Sequence, residues 1–237
     1  MASWLPQLLS LQDAVLLIVT SAFTSMLTAA MGIGGGVLLL AVMASVVPVA
    51  ALIPVHGLVQ FGSNANRTLL TRHYVDWSLV KLFIVGGIVG ALIAGFIVVQ
   101  LPLEVIQLSV AGFILLMVWG PKLAKHEVSA TGLIGAGAVT TLLSMFVGAT
   151  GPLVAAFVHR LGFEKYRTVA TFAACMSFQH LLKLLVFGWI GFAFLDWLPL
   201  MLAMIMSGFM GTWIGLYVLQ KIPPEKFQLV FKLTVSV

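Results

Sequence analysis

Acidic residues are scarce in this chain: seven Asp and Glu stand among 237 residues, against 12 Lys and Arg, and only 8% of positions are charged. Asp13, Asp76, Glu104, Glu127, Glu164, Asp196 and Glu225 all fall at or near the ends of apolar runs or in the loops between them. A cation pathway or a carboxylate proton relay would leave at least one acid at depth, so the pattern argues against both. Cysteine is rarer still, and the lone Cys175, inside an apolar run, excludes an intrachain disulfide and a cysteine metal cluster. HExxH, GxSxG, paired deep carboxylates and cofactor motifs are also missing, which gives an intramembrane enzyme little support. The basic excess is spread over short loops and forms no patch, so it speaks for membrane orientation and not for nucleic acid. Met1 to Ser10 has no basic stretch, and a cleaved leader is not expected.

What is abundant is apolar length. Hydrophobic residues make up 61% of the chain, and a mean hydropathy of +1.15 makes lipid the solvent. A span needs about 20 helical residues, which predicts helices over 11–31, 49–70, 78–100, 103–120, 128–147, 166–188, 197–219 and 224–237. Two runs are too short, Gly36 to Val47 and Pro152 to His159; each follows a glycine-containing break and is expected to re-enter. The expected fold is an all-α polytopic membrane protein of ten segments in one integral membrane domain.

The segments form two related halves, 1–120 and 121–237. Leu101-Pro102-Leu103-Glu104-Val105-Ile106-Gln107-Leu108 recurs 121 positions later as Ile222-Pro223-Pro224-Glu225-Lys226-Phe227-Gln228-Leu229. Asp76-Trp77 matches Asp196-Trp197, Gly87 and Gly90 match Gly208 and Gly211, and Gly32 and Gly35 match Gly148 and Gly151. Each half then reads as four long helices plus one short leg after its glycine break. If all five segments count toward crossing parity, Arg67, Arg72, Lys81, Lys122, Lys125, Arg160, Lys165, Arg167, Lys221 and Lys226 share one side, and the opposite loops at 48–50, 100–103 and 189–197 hold no Lys or Arg. Parallel repeats would split the same cations evenly. The positive-inside rule therefore favours inverted-topology repeats with both termini outside an inner (plasma) membrane. Inverted repeats recur in secondary transporters, with the site near the midplane at the repeat interface.

The breaks themselves, Met31-Gly32-Ile33-Gly34-Gly35-Gly36 and Gly148-Ala149-Thr150-Gly151-Pro152, read as hairpin tips. Amides at the starts of the short legs would carry partial positive charge suited to an anion. Gly87, Gly90, Gly208 and Gly211, spaced within helices, read instead as packing contacts. The helix after each leg carries the polar residues that lipid penalises. Gln60 and Asn64 lie on one face, Gln179 and Lys183 hold the equivalent places, and His56 precedes Gln60 by one turn. Interhelical hydrogen bonding is the plainer account of the glutamines, and a satisfied core histidine that of His56, which is also a candidate proton carrier. Asn64, Asn66 and Arg67 approach the basic loop, where an interfacial position would account for them. Lys183 could snorkel, and His180 sits one step off the stripe.

With Gly32-x-Gly34-Gly35-Gly36, Pro48 beyond it and duplicated short halves, the chain resembles the TauE/SafE sulfite exporter family over nearly its whole length. The resemblance implies a membrane transporter, not an enzyme, that moves sulfite, sulfonates or related small anions without a cofactor. It puts binding roles on Gly34, Gly35, Gly36, Thr150 and Gly151; contacts by His56, Gln60, Asn64, Gln179 and Lys183 come from spacing alone. The second break lacks a run of three glycines. An anion channel would share this pattern, and saturable turnover separates the two.

Overall fold

The computed structural model describes residues 6, 9–98, 129–159, 161–227 and 229, and among them the chain is helical throughout, without a strand. Eight helices follow in order: α1 (Leu11–Met31), α2 (Gly35–Val46), α3 (Val49–Leu70), α4 (Trp77–Val98), α5 (Ala130–Val147), α6 (Gly151–His159), α7 (Lys165–Trp189) and α8 (Leu198–Lys221). The expected helix over 103–120 and the motif at 101–108 lie outside the described residues, as does most of 224–237. Stretches of α1, α4, α5, α7 and 194–221 are long and apolar enough to cross a membrane. Helix α3 has 22 residues but is not among them, because His56, Gln60, Asn64, Asn66 and Arg67 dilute its apolar run.

Local chemistry sets the ends. Ser10 caps α1 in a capping box with Asp13, and Ser129 accepts from Gly132 N–H to start α5. Both helices end on a left-handed glycine, Gly32 at φ 87° and Gly148 at φ 83°, where a Cβ would be strained. The short legs begin three residues later, at Gly35 and Gly151. Glycines matched in the sequence thus occupy matched positions in the structure. At the far end of α8, Lys165 Nζ donates to the carbonyls of Leu219 and Ile222 at 2.9 and 2.8 Å, which suits the negative end of a helix.

Two helices occupy the centre. In α7 72% of the most apolar window is buried, against 33% in 194–221, and α3 packs along it. The residues after α3 meet the start of α7: Arg167 pairs with Asp76 at 2.7 Å, and Tyr74 stacks on Tyr166. Further back along α3, Gly57 faces Lys183, well along α7. Helices α3 and α7 therefore run antiparallel. Around them α1 packs on α8 and α4 on α5, and α4 also packs on α7 as α8 does on α3, so the main contacts between the two sets of helices come in matching pairs. Small residues bring these outer pairs close: a Cβ on Gly90 would strike the Ala138 carbonyl, and one on Gly211 the Ala22 carbonyl. Close backbone approach of this kind holds helices together where lipid offers no hydrophobic drive, and it accords with the packing role expected for these glycines.

Asp76 also accepts from the N–H groups of Ser78 and Leu79 at the start of α4. Burial works to raise its carboxyl, but the Arg167 hydrogen bond and these amides outweigh it and hold the group below the ordinary carboxylate value. Its counterpart Asp196 likewise stands just before α8.

Candidate functional site

Both glycine breaks line one cavity. Ile33, Gly34 and Gly36 come from the first break, Ala149, Gly151 and Pro152 from the second, and His56, Gln60, Asn64 and His180 from the central helices. Its volume, counted as space open to the centre of a water molecule, is about 20 Å³, room for about one water.

The first-half stripe faces this space. The Gln60 amide lies against Gly36, its carbon, nitrogen and oxygen each 3.5 Å from where a Cβ would stand. His56 Nε2 is 2.9 Å from the Gly36 carbonyl, and its ring lies edge-on to His180 with centroids 6.0 Å apart. Both rings are buried, and neither Nδ1 has a partner among the described residues. Asn64 Nδ2 donates to the Gln60 carbonyl at 2.8 Å and to Gln60 Oε1 at 3.2 Å.

The second-half groups are turned onto their own break. Lys183 Nζ donates to the Gly148 carbonyl at 2.6 Å, Gln179 Nε2 donates to Thr150 Oγ1 at 2.6 Å, and Thr150 Oγ1 donates to the Thr140 carbonyl at 3.2 Å. Gln179, Lys183 and Thr150 are fully buried and do not line the cavity. Gly35 does not line it either; its N–H donates to Thr28 Oγ1 at 3.0 Å, and a Cβ there would strike the Thr24 carbonyl. The equivalent stripes are thus used differently, the first opening on the cavity and the second pinning a tip.

Two positions differ from the sequence expectation. Lys183 does not snorkel: it is completely buried because the carbonyl ending α5 offers it an acceptor. Arg67 is not a loop cation. It lies inside α3, 1% exposed, donating from NH1 to Asn64 Oδ1 at 3.1 Å and from NH2 to Ser63 Oγ at 3.4 Å, while Ser63 meets Ser25 of α1 at 2.8 Å. Arg67 and His180 are the cavity-side groups that spacing undervalued. The i,i+3 and i,i+4 relation of Arg67 to Asn64 and Ser63 was the available signal.

No acid answers these cations. None of the five carboxylates among the described residues is buried, and those residues hold no cluster of metal-ligating side chains. The polar part of the cavity wall is amide, imidazole, hydroxyl and backbone, beside apolar side chains such as Val37, Phe172 and Met176, with buried basic groups behind it.

A family model described as "Sulfite exporter TauE/SafE" matches residues 17–237, and the chain belongs to that family. No curated protein and no solved structure matches it.

Proposed function

We propose, taking membership of the sulfite exporter family as the premise, that this chain is a secondary transporter of a small sulfur-containing oxyanion, such as sulfite or a short sulfonate, held between the two glycine breaks and carried by alternating access. One observation carries the reading: a break from each half lines the same cavity, and two basic side chains, Arg67 and Lys183, are buried near it with no buried carboxylate among the described residues. A guanidinium stays protonated at any physiological pH. Such a charge without an acidic partner is costly in a membrane unless a mobile anion supplies the counter-charge.

The antiparallel course of the equivalent helices α3 and α7 supports inverted repeats, divided at 120/121, and the basic bias of the loops supports placing both termini outside the inner membrane. A sulfur oxyanion is larger than the one water the cavity holds, so admission requires the tips to part. Rocking of one half against the other would part them toward one face at a time. Gly34, Gly36, Gln60, Asn64 and Gly151 then meet the anion directly, and Gly35, Thr150, Gln179 and Lys183 hold the tips. A coupling proton would be carried by His56 and His180, with Lys183 as the neighbouring charged group.

The test is flux of labelled sulfite, thiosulfate and small sulfonates in proteoliposomes, with and without a pH gradient. Saturable flux supports the transporter, and acceleration by the gradient supports the proton. Flux that never saturates would replace it with a channel. No flux from folded protein would overturn the sulfur-anion assignment.

A further inference from the structure

Arg67 does not line the cavity, yet a directed set of hydrogen bonds connects it to the cavity wall. Its guanidinium can only donate, so the Asn64 side chain must turn its oxygen toward Arg67, as the 3.1 Å bond from NH1 records. The Asn64 amide nitrogen then points the other way, toward Gln60, where it meets Oε1 at 3.2 Å. With Oε1 so engaged, the NH₂ group is the end of Gln60 left to donate to the cavity, although both ends of the amide lie equally close to Gly36. The Gln60 main-chain carbonyl, which accepts from the same Asn64 nitrogen at 2.8 Å, favours the same sense, so the cation on one side and the carbonyl on the other together fix the Asn64 amide, and through it the Gln60 amide.

We infer that Arg67 is the specificity-determining positioning residue of the site: through Asn64 it orients the Gln60 amide so that the cavity wall offers hydrogen-bond donors and selects an oxyanion. The inference rests on the anion-transport reading and adds to it the residue that sets the polarity of the site. Arg67 itself is fully buried and one hydrogen bond behind the wall. It sets the orientation of the donors and adds long-range positive potential, without touching the anion. Ser63 and Ser25 hold the guanidinium from the far side through the NH2 bond.

Four variants, reconstituted in proteoliposomes and nanodiscs, test this. Arg67→Gln can present either end of its amide to Asn64, and the affinity for sulfite, read as KM in saturable flux, is expected to weaken about tenfold, the size of one charged hydrogen bond. Arg67→Lys keeps a donor-only cation and is expected to recover most of that loss. Asn64→Asp is the sharper case: it gives Arg67 a stronger partner, yet it takes the donor away from both Gln60 Oε1 and the Gln60 main-chain carbonyl. The Gln60 NH₂ then turns onto the carboxylate and sulfite affinity falls. The readout that needs no substrate is the Gln60 side-chain amide proton resonance, assigned by its loss in Gln60→Leu, which should move downfield in Asn64→Asp. Wild-type flux with unaltered KM in Arg67→Gln, or a Gln60 resonance unmoved in Asn64→Asp, overturns the inference. Absence of flux in the wild type together with a shifted resonance would instead sink the substrate assignment and leave the orienting role of Arg67 standing.

Discussion

Lys183 Nζ donates to the carbonyl of Gly148 across 2.6 Å, joining the middle of α7 to the glycine that ends α5. Gly148 is left-handed at φ 83°, and its carbonyl lies beyond the last turn, where helices leave acceptors without an intrahelical partner. The lysine supplies that partner inside the protein, so the second break is fastened from its own half. In the first break, His56 Nε2 lies 2.9 Å from the carbonyl of Gly36, in the first turn of α2.

Replacing Lys183 with Met keeps most of the stem that packs against Gly57 and removes the donor. Leaving a buried carbonyl unsatisfied costs about 1–3 kcal/mol. Lys183→Met is therefore expected to lower the unfolding temperature in nanodiscs and to weaken saturable sulfite flux. Unchanged unfolding would show that the bond to Gly148 contributes nothing to the second tip.

The glycine pairs on the outer helices make a second prediction. Gly211→Ala drives a methyl group into the Ala22 carbonyl, and Gly90→Ala does the same at Ala138; backbone cannot yield as a side-chain tip can, so helix pairs α1/α8 and α4/α5 must separate. Each variant is expected to lose about 1–3 kcal/mol. Gly135→Ala meets nothing within 4 Å and should stabilise by up to about 1 kcal/mol, as removal of a helical glycine does. Thermal unfolding of the three variants side by side checks the order.

The long apolar helices among the described residues were legible because lipid forces long apolar runs, and glycines that end helices leave a mark in the sequence. Gly32 and Gly148 were paired by sequence offset, and both end helices in left-handed conformation. Gln60 and Gln179 were paired as well, yet one faces the cavity and the other is tied to Thr150. Periodicity gives the face of a helix but not what covers it, and an acceptor such as Thr150 Oγ1 arrives from a different segment. Arg67 was misplaced for the same reason. Counted from the end of its apolar run it looks interfacial, whereas burial against α1 and hydrogen bonds to Ser63 and Asn64 hold it inside. His180 fell one residue off the stripe and reaches the cavity because α3 and α7 face each other across it.

The Asp76–Arg167 pair predicts a pH dependence outside the membrane core. The folded state holds the Asp76 carboxyl below its ordinary value, so its contribution is present above the unfolded value, about pH 4, and is lost as pH falls through the lower folded value. Arg167 has a side chain 53% exposed, which screens the pair and limits the contribution to under about 1 kcal/mol. The wild type should be more stable than Asp76→Asn at pH 7, and the gap should close in acid. A gap that persists below the folded value would show that the effect does not come from the charge on Asp76.

The cavity between the breaks is tested most directly by calorimetric titration of sulfite into the purified protein in nanodiscs, with Gly36→Leu beside the wild type. A side chain at Gly36 points at the Gln60 amide, where a Cβ alone fits at 3.5 Å, so the longer leucine takes up the space beside that amide. The account predicts saturable heat for the wild type and its loss in Gly36→Leu, with unfolding temperatures that agree. Equal binding by the two proteins would contradict it, because the anion would then sit somewhere other than between the glycine breaks.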